Sequence, residues 1–205
     1  MTHRGLVVAA GCLVVSFWTR PAEADGAYGR LGGDLDVQAS AGPSIGHGSA
    51  LGVSASALYL VSVGPYAGAE VALSEKARVS GGGALRSLST GVEIRPLFIP
   101  RFFTALETGR SFVDLLLDSV GGRMGARFFP GSPLRAFELS AVVDVPIGTR
   151  FSGAFLALSA TKILSPRALA GQSTGGERSF FFGIALGLRG MLTTHLVDVN
   201  DGRER

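Results

Sequence analysis

The stretch AFELSAVVDVPI (Ala136–Ile147) decides how the rest of the chain is read. Phe137, Leu139, Ala141, Val143, Val145 and Ile147 fall on one parity, and Glu138, Ser140 and Asp144 fall on the other. Successive side chains of a β-strand point to opposite faces. The pattern therefore describes a strand with one apolar and one polar side.

The same period recurs along the chain. In GDLDVQASAG (Gly33–Gly42), Asp34, Asp36, Gln38 and Ser40 oppose Leu35, Val37, Ala39 and Ala41. A helix would place Asp34 and Asp36 about 200° apart and destroy that pattern. GVSASALYLVSV (Gly52–Val63), PYAGAEVALS (Pro65–Ser74), LRSLSTGVEIRPLF (Leu85–Phe98) and GRMGARFF (Gly122–Phe129) split in the same way. FSGAFLALSATKIL (Phe151–Leu164) is apolar on both parities, so its facing stays open. SFFFGIALGLRGM (Ser179–Met191) looks like a solid apolar block, yet it holds three glycines and an arginine. By parity it becomes a stripe of Phe180, Phe182, Ile184, Leu186 and Leu188 opposite Phe181, Gly183, Ala185, Gly187 and Arg189.

Eight such segments, with 30 glycines in the chain and no uninterrupted apolar stretch of 18 residues after the N-terminal region, predict a fold. It is an all-β, antiparallel, up-and-down transmembrane β-barrel of about eight strands. Each crossing of such a barrel takes about 9–11 tilted residues. The polar parities place Asp34, Asp36, Glu70, Glu93, Arg95, Arg123, Arg127, Glu138, Asp144 and Arg189 in the lumen. A soluble lipocalin-like barrel also alternates, with the apolar side turned inward. Its interior would have to pack many small residues without voids.

The first residues read as an export signal. A basic start (MTHR) precedes the fourteen-residue run GLVVAAGCLVVSFW and the ending TRPAEA, with cleavage expected after Ala24. The run is short for a spanning helix, which needs about 20 residues. Residues 1–24 are thus expected to leave a single barrel domain over 25–205 without cysteine or tryptophan. The remaining 17 basic and 15 acidic residues are too balanced for a nucleic-acid partner.

Membrane barrels have short periplasmic turns and longer external loops. With the N-terminus periplasmic, the second (Gly64-Pro65), fourth and sixth (Gly148–Arg150) connections belong to the periplasmic end. The long polar segment Ser165–Arg178 then lies outside. The fourth connection breaks the period. In RSFVDLLLDSV (Arg110–Val120), Phe112, Leu115, Leu116 and Ser119 lie at helical spacing, with Arg110, Asp114 and Asp118 on another face. This predicts one short amphipathic helix, which either covers the barrel's end or lies at the inner membrane surface, or else serves as a gate or docking element. The preceding PRFFTALETG (Pro100–Gly109) is open between a connection and a ninth crossing.

On these features the chain from Arg30 to Met191 resembles, in architecture, the small outer-membrane barrels of OmpA and OmpX type and the opacity-type surface proteins. The resemblance implies a Gram-negative outer membrane, with membrane lipid and the barrel insertion machinery as partners. Members of that class end in an insertion signal that Gly183, Leu186 and Leu188 match. Phe181 occupies its polar position, and the chain runs on past the strand.

Signs of catalysis are sparse. GPSIG (Gly42–Gly46) and GQSTG (Gly171–Gly175) both fit the G-x-S-x-G elbow, and His47 follows the first. The elbow requires a strand-turn-helix setting, whereas the first match leads from a strand to a loop and another strand. Two distant histidines, His47 and His195, make no metal site, and no phosphate loop or other cofactor motif is present. The reading is a non-enzymatic structural or surface-presenting barrel without cofactor. The alternatives are a small pore with a charged lumen, a soluble periplasmic ligand-binding barrel, and a lipid A-modifying barrel enzyme using Ser44 and His47.

Overall fold

The computed structural model describes residues 33–46, 48–73, 85–104, 106–130, 135–165 and 178–194. The expected signal peptide, His47, His195 and the second G-x-S-x-G match lie outside them. Eight strands follow in order: β1 (Leu35–Gly46), β2 (Gly48–Tyr59), β3 (Val63–Ala72), β4 (Leu85–Ile94), β5 (Val120–Phe128), β6 (Arg135–Pro146), β7 (Gly153–Leu164) and β8 (Arg178–Leu192). Each pairs antiparallel with its chain neighbours, and β8 returns to β1 to close the barrel. Closure leaves no strand edge unpaired.

The alternation decides what faces where. Val53, Val92, Met124 and Leu139 are exposed, while their polar neighbours Ser56, Glu93, Arg127 and Glu138 are buried. On β8, Phe182, Leu186 and Leu188 are 61–68% exposed, whereas Phe181 and Arg189 are 4% exposed. The open question of β7 is settled the same way. Phe155, Thr161 and Ile163 are buried in the barrel, and Leu158 is exposed. The molecule thus has a polar interior and an apolar wall.

Two inward glycines make room for the aromatic rings that the interior does hold. A Cβ on Gly125 would stand 2.7 Å from the Tyr66 hydroxyl, and one on Gly187 would run into the Phe155 ring.

One end of the barrel carries the connections β2–β3, β4–β5 and β6–β7. Between β4 and β5 the chain forms two helices, α1 (Phe98–Thr104) and α2 (Ser111–Asp118). Phe98 and Leu115 from these helices meet Val61 and Phe151 from the neighbouring connections, with Met191 against them. This cluster is the apolar core of the molecule, and it seals that end.

Several expectations are corrected. The first connection is not a loop over Gly42–Gly46. Those residues continue β1, and Gly46 pairs with Gly48. Pairing of β1 to β8 lapses over Gly42 and Pro43, between Ala41–Leu186 and Ser44–Gly183. Proline has no N–H for a ladder and is tolerated at such an irregularity. The β2–β3 turn is at Leu60–Ser62 and not at Gly64-Pro65, which belong to β3. Leu60 and Val61 take φ of 45° and 56°, a left-handed conformation costly for a β-branched residue. The turn is held by Ser62 N–H donating to Tyr59 O at 2.9 Å, Leu60 N–H donating to Asp34 O at 2.8 Å, and burial of Val61 in the end cluster.

Strand β4 stops at Ile94, short of Phe98, and there is no ninth crossing, because Phe98–Thr104 is helical. The α2 helix turns the opposite way from a helix packing in water. Asp114, Leu115 and Asp118 are buried, while Phe112 is 47% exposed.

Leu115→Ala truncates a fully enclosed member of the end cluster. It should lower the unfolding free energy by about 2–5 kcal/mol, the usual range for a core Leu→Ala change. Urea titration of the barrel in detergent micelles measures this.

Candidate functional site

The lumen is where the unusual chemistry of this chain is concentrated. Among the described residues, five arginines (Arg86, Arg95, Arg123, Arg127, Arg189) and five carboxylates (Asp36, Glu70, Glu93, Glu138, Asp144) are directed into it. Charges withdrawn from water are tolerated when they are paired and hydrogen-bonded, and most of these are so held in two tiers, while both Asp36 carboxylate oxygens and one Nη each of Arg86, Arg95 and Arg189 lack a hydrogen-bond partner.

The first tier centres on Arg95, which is fully buried. It follows β4 directly and reaches back up the lumen. Its Nη2 donates to Asp144 Oδ2 at 2.6 Å, Glu93 Oε1 at 2.9 Å and Gln38 Oε1 at 2.9 Å, and its Nε donates to Glu93 Oε1 at 3.0 Å. Nη1 lies 3.8 Å from Asp36 Oδ2. Gln38 extends the set by donating to Ser56 Oγ at 2.7 Å, and Arg123 Nε donates to the second oxygen of Glu93 at 2.8 Å. Strands β1, β4, β5 and β6 are therefore linked through one guanidinium and its carboxylates.

The second tier centres on Arg127. Its Nε donates to Glu138 Oε2 at 2.6 Å and its Nη1 to Glu70 Oε2 at 2.9 Å. Ser87 and Tyr66 donate to Glu70 and Glu138, each at 3.3 Å. Arg86 joins with Nε 3.9 Å from Glu70 Oε2, and its guanidinium stacks 4.6 Å from the Phe181 ring centre. By parity Arg86 belongs outside with Leu88. A β-bulge opposite Glu70 and Val71 turns it inward beside Ser87. A bulge places two residues against one and breaks the alternation, which parity reading does not detect.

Beside the ladder lies a cavity of about 110 Å³. Its walls are uneven. Ser40, Ser44, Ser54 and Ser159 line one side, and Arg123, Arg127 and Glu138 line the other. The small residues of β1, β2, β7 and β8 leave the space that the long side chains of β3–β6 do not fill.

The remaining expected lumen charges lie outside these two tiers. Asp34 sits at the barrel end before β1, where it accepts from Thr194 N–H at 2.6 Å and from the Thr194 hydroxyl. Arg189 is at the plugged end. Its Nε donates to Phe151 O at 2.8 Å, its Nη1 donates to Ser119 Oγ at 3.1 Å, and its guanidinium lies 4.2 Å from the Phe151 ring centre. Gly183 lines the cavity, and Leu186 and Leu188 lie on the outer wall. Ser44 is buried in the lumen with its hydroxyl 3.5 Å from Glu70 Oε1. It lies inside β1 and not at a strand-to-helix elbow.

The helices carry a third ionic group that parity could not assign. Arg101 on α1 pairs with Asp114, donates to Asp118 Oδ1 at 2.8 Å, and donates to the Asp114 carbonyl at 3.0 Å. Thr108 N–H donates to Asp114 Oδ1 at 2.9 Å. Burial alone would push the Asp114 carboxyl up. The Thr108 and Arg101 hydrogen bonds outweigh it and hold the carboxyl below its ordinary 3.8. Among the described residues no cluster of His, Cys, Asp and Glu could hold a metal ion.

No family model and no curated protein matches the chain. Among solved structures, the chain is similar to the N-terminal β-barrel domain of Pseudomonas aeruginosa OprF. The TM-score is 0.45 and the identity 8%, over 76% of this chain and 97% of that domain.

Arg95→Met leaves Asp36 and Asp144 buried without their guanidinium, and should cost about 3–5 kcal/mol in the same micelle titration. A second expectation concerns pH. Since the folded Asp114 carboxyl titrates below its unfolded value, its contribution is complete above about 3.8 and is lost as pH falls through the folded value. Protection of the α2 amides from hydrogen exchange should therefore fall on acidification, and Asp114→Asn should remove that dependence.

Proposed function

We propose that this chain is an integral outer-membrane β-barrel with a structural or surface-presenting role and no enzymatic activity. The observation that carries the reading is the inverted polarity of the barrel. Its exposed wall is apolar on every strand while its interior is charged and ion-paired. Soluble monomers rarely expose apolar patches beyond a few hundred Å², and a soluble ligand-binding barrel would turn this side inward. A closed barrel also satisfies its backbone internally, as a lipid environment demands. The signal-like N-terminus supports export. In this reading the end bearing α1, α2, the start of β1 and the end of β8 faces the periplasm. Gly183, Leu186 and Leu188 on β8 address the insertion machinery.

The lumen supports a plugged barrel over a conducting one. Eight strands enclose space for side chains and little more, the two ionic tiers occupy it, and the end cluster lies across one exit. One observation favours a small pore as the second reading, namely the hydroxyl-lined cavity beside the ladder. A lipid-modifying role for Ser44 finds no support in its placement, since its hydroxyl points to the lumen and the lipid-modifying chemistry would act on the outer wall.

Outer-membrane fractionation and heat-modifiable gel migration test the main reading. The protein should sediment with the outer membrane and migrate faster unheated than boiled. Recovery as a soluble periplasmic protein would overturn it. In planar bilayers the plugged barrel should pass negligible current. A steady conductance that changes on Arg123→Ala or Arg127→Ala would establish the pore instead.

A further inference from the structure

The inversion of polarity does not stop at the ends of the strands. In the segment between β4 and β5, Leu97, Ile99, Phe103, Leu106 and Phe112 are 38–80% exposed, while Arg101, Asp114 and Asp118 turn inward as an ionic group. A two-helix segment covering a barrel end in water would show the reverse, with apolar residues against the barrel and charges in solvent. Among the described residues of this segment, only Phe98 and Leu115 belong to the end cluster.

The exposed apolar residues are also continuous with the barrel wall. Ile94 ends β4 on the outer side, and Leu97 and Ile99 follow within five residues. Val63, Ile147 and Leu192, at the same end of their strands, are exposed as well. The polar exposed positions are Thr104, at the last residue of α1, and Glu107, Thr108 and Arg110 in the turn between α1 and α2.

We infer that α1 and α2 form a lipid-seated foot. The hairpin lies in the interfacial layer of the leaflet at the end of the barrel where β1 starts and β8 stops. Its Phe103, Leu106 and Phe112 side enters the acyl boundary, and its Arg101–Asp114–Asp118 group is shielded beneath the barrel. Apolar faces of interfacial helices enter that boundary by about 5–10 Å. The occupant of this surface is lipid, since the inward burial of its charges removes what a solvated protein-docking helix would present. The foot sets the depth of the barrel in the bilayer and keeps the plug cluster in place. This inference rests on the membrane reading proposed above.

Tryptophan fluorescence separates the two. The described residues contain no tryptophan, so the full chain carrying Trp18→Phe is a silent background. Single probes are Leu186→Trp on the barrel wall, and Phe103→Trp and Phe112→Trp on the foot. Each protein is refolded into phosphatidylcholine vesicles brominated in the acyl chains near the headgroup. The inference expects all three probes to lose most of their emission and to shift blue relative to unbrominated and lipid-free controls. A quenched wall probe with both foot probes unquenched and red-shifted would overturn the foot while leaving the barrel in the membrane. An unquenched wall probe would overturn the membrane reading itself. The two foot probes are exposed and nine residues apart, so failure of one variant to fold leaves the other to decide.

Discussion

An eight-stranded barrel encloses a space about as wide as the side chains that fill it. Once the alternation turns charges into that space, each must find its opposite there, because little water can enter to screen it. This constraint explains why guanidiniums and carboxylates are matched in number inside, and why they come in tiers instead of scattered pairs. Arg95 shows it most clearly. It has no contact with solvent, and it brings Glu93, Asp144, Gln38 and Asp36 from three other points of the wall to one place. The interior is therefore cross-linked by charge where a soluble protein would be cross-linked by packing. Among the described residues, the buried apolar cluster lies at the plugged end, where Val61, Phe98, Leu115 and Phe151 meet.

Arginine suits this role better than lysine. Its planar fork offers five donors and can bind two or three carboxylates from different strands. Arg127 bridges Glu70 of β3 and Glu138 of β6, and it also reaches Ser87 of β4. An ammonium on a flexible stem would hold fewer strands in a defined geometry. The aromatic rings that share the lumen complement the guanidiniums. Phe181 lies against Arg86 and within 5.8 Å of Arg127, and Phe151 and Phe155 lie against Arg189. A stacked ring shields a buried cation without competing for its donors.

The strand faces were legible from parity because the two faces of the barrel wall differ in polarity, and period two reports which face each residue takes. The sequence failed to declare features of another kind. Arg86 is misplaced by parity because a bulge shifts the alternation by one residue, and bulges leave no composition signal. Gly64-Pro65 has the chemistry of a turn, yet the turn forms at Leu60–Ser62, because Val61 has a buried place in the end cluster that a later turn would deny it. Here tertiary burial overrides local preference. The helix between β4 and β5 was visible from the spacing of its residues, but its orientation was not. A helical wheel shows two faces and cannot say which is inside when the surroundings are inverted. Arg101 was unreadable for the same reason, since its partners Asp114 and Asp118 lie across a turn on a second helix.

The small contact between Asp34 and Thr194 has a kinetic meaning. The two residues are 160 positions apart, at the outer ends of the first and last strands, and Asp34 also ties the β2–β3 turn through its carbonyl. The barrel can build hairpin by hairpin from neighbours, each closing only a short loop. The β1–β8 seam is the one junction that joins the start of the chain to its end, so its loop-closure entropy is the greatest of any strand pair. The clasp sits at the very edge of that junction. It rewards a chain only after all eight strands are present and in register, which makes it a checkpoint on completeness as much as a contact in the finished barrel.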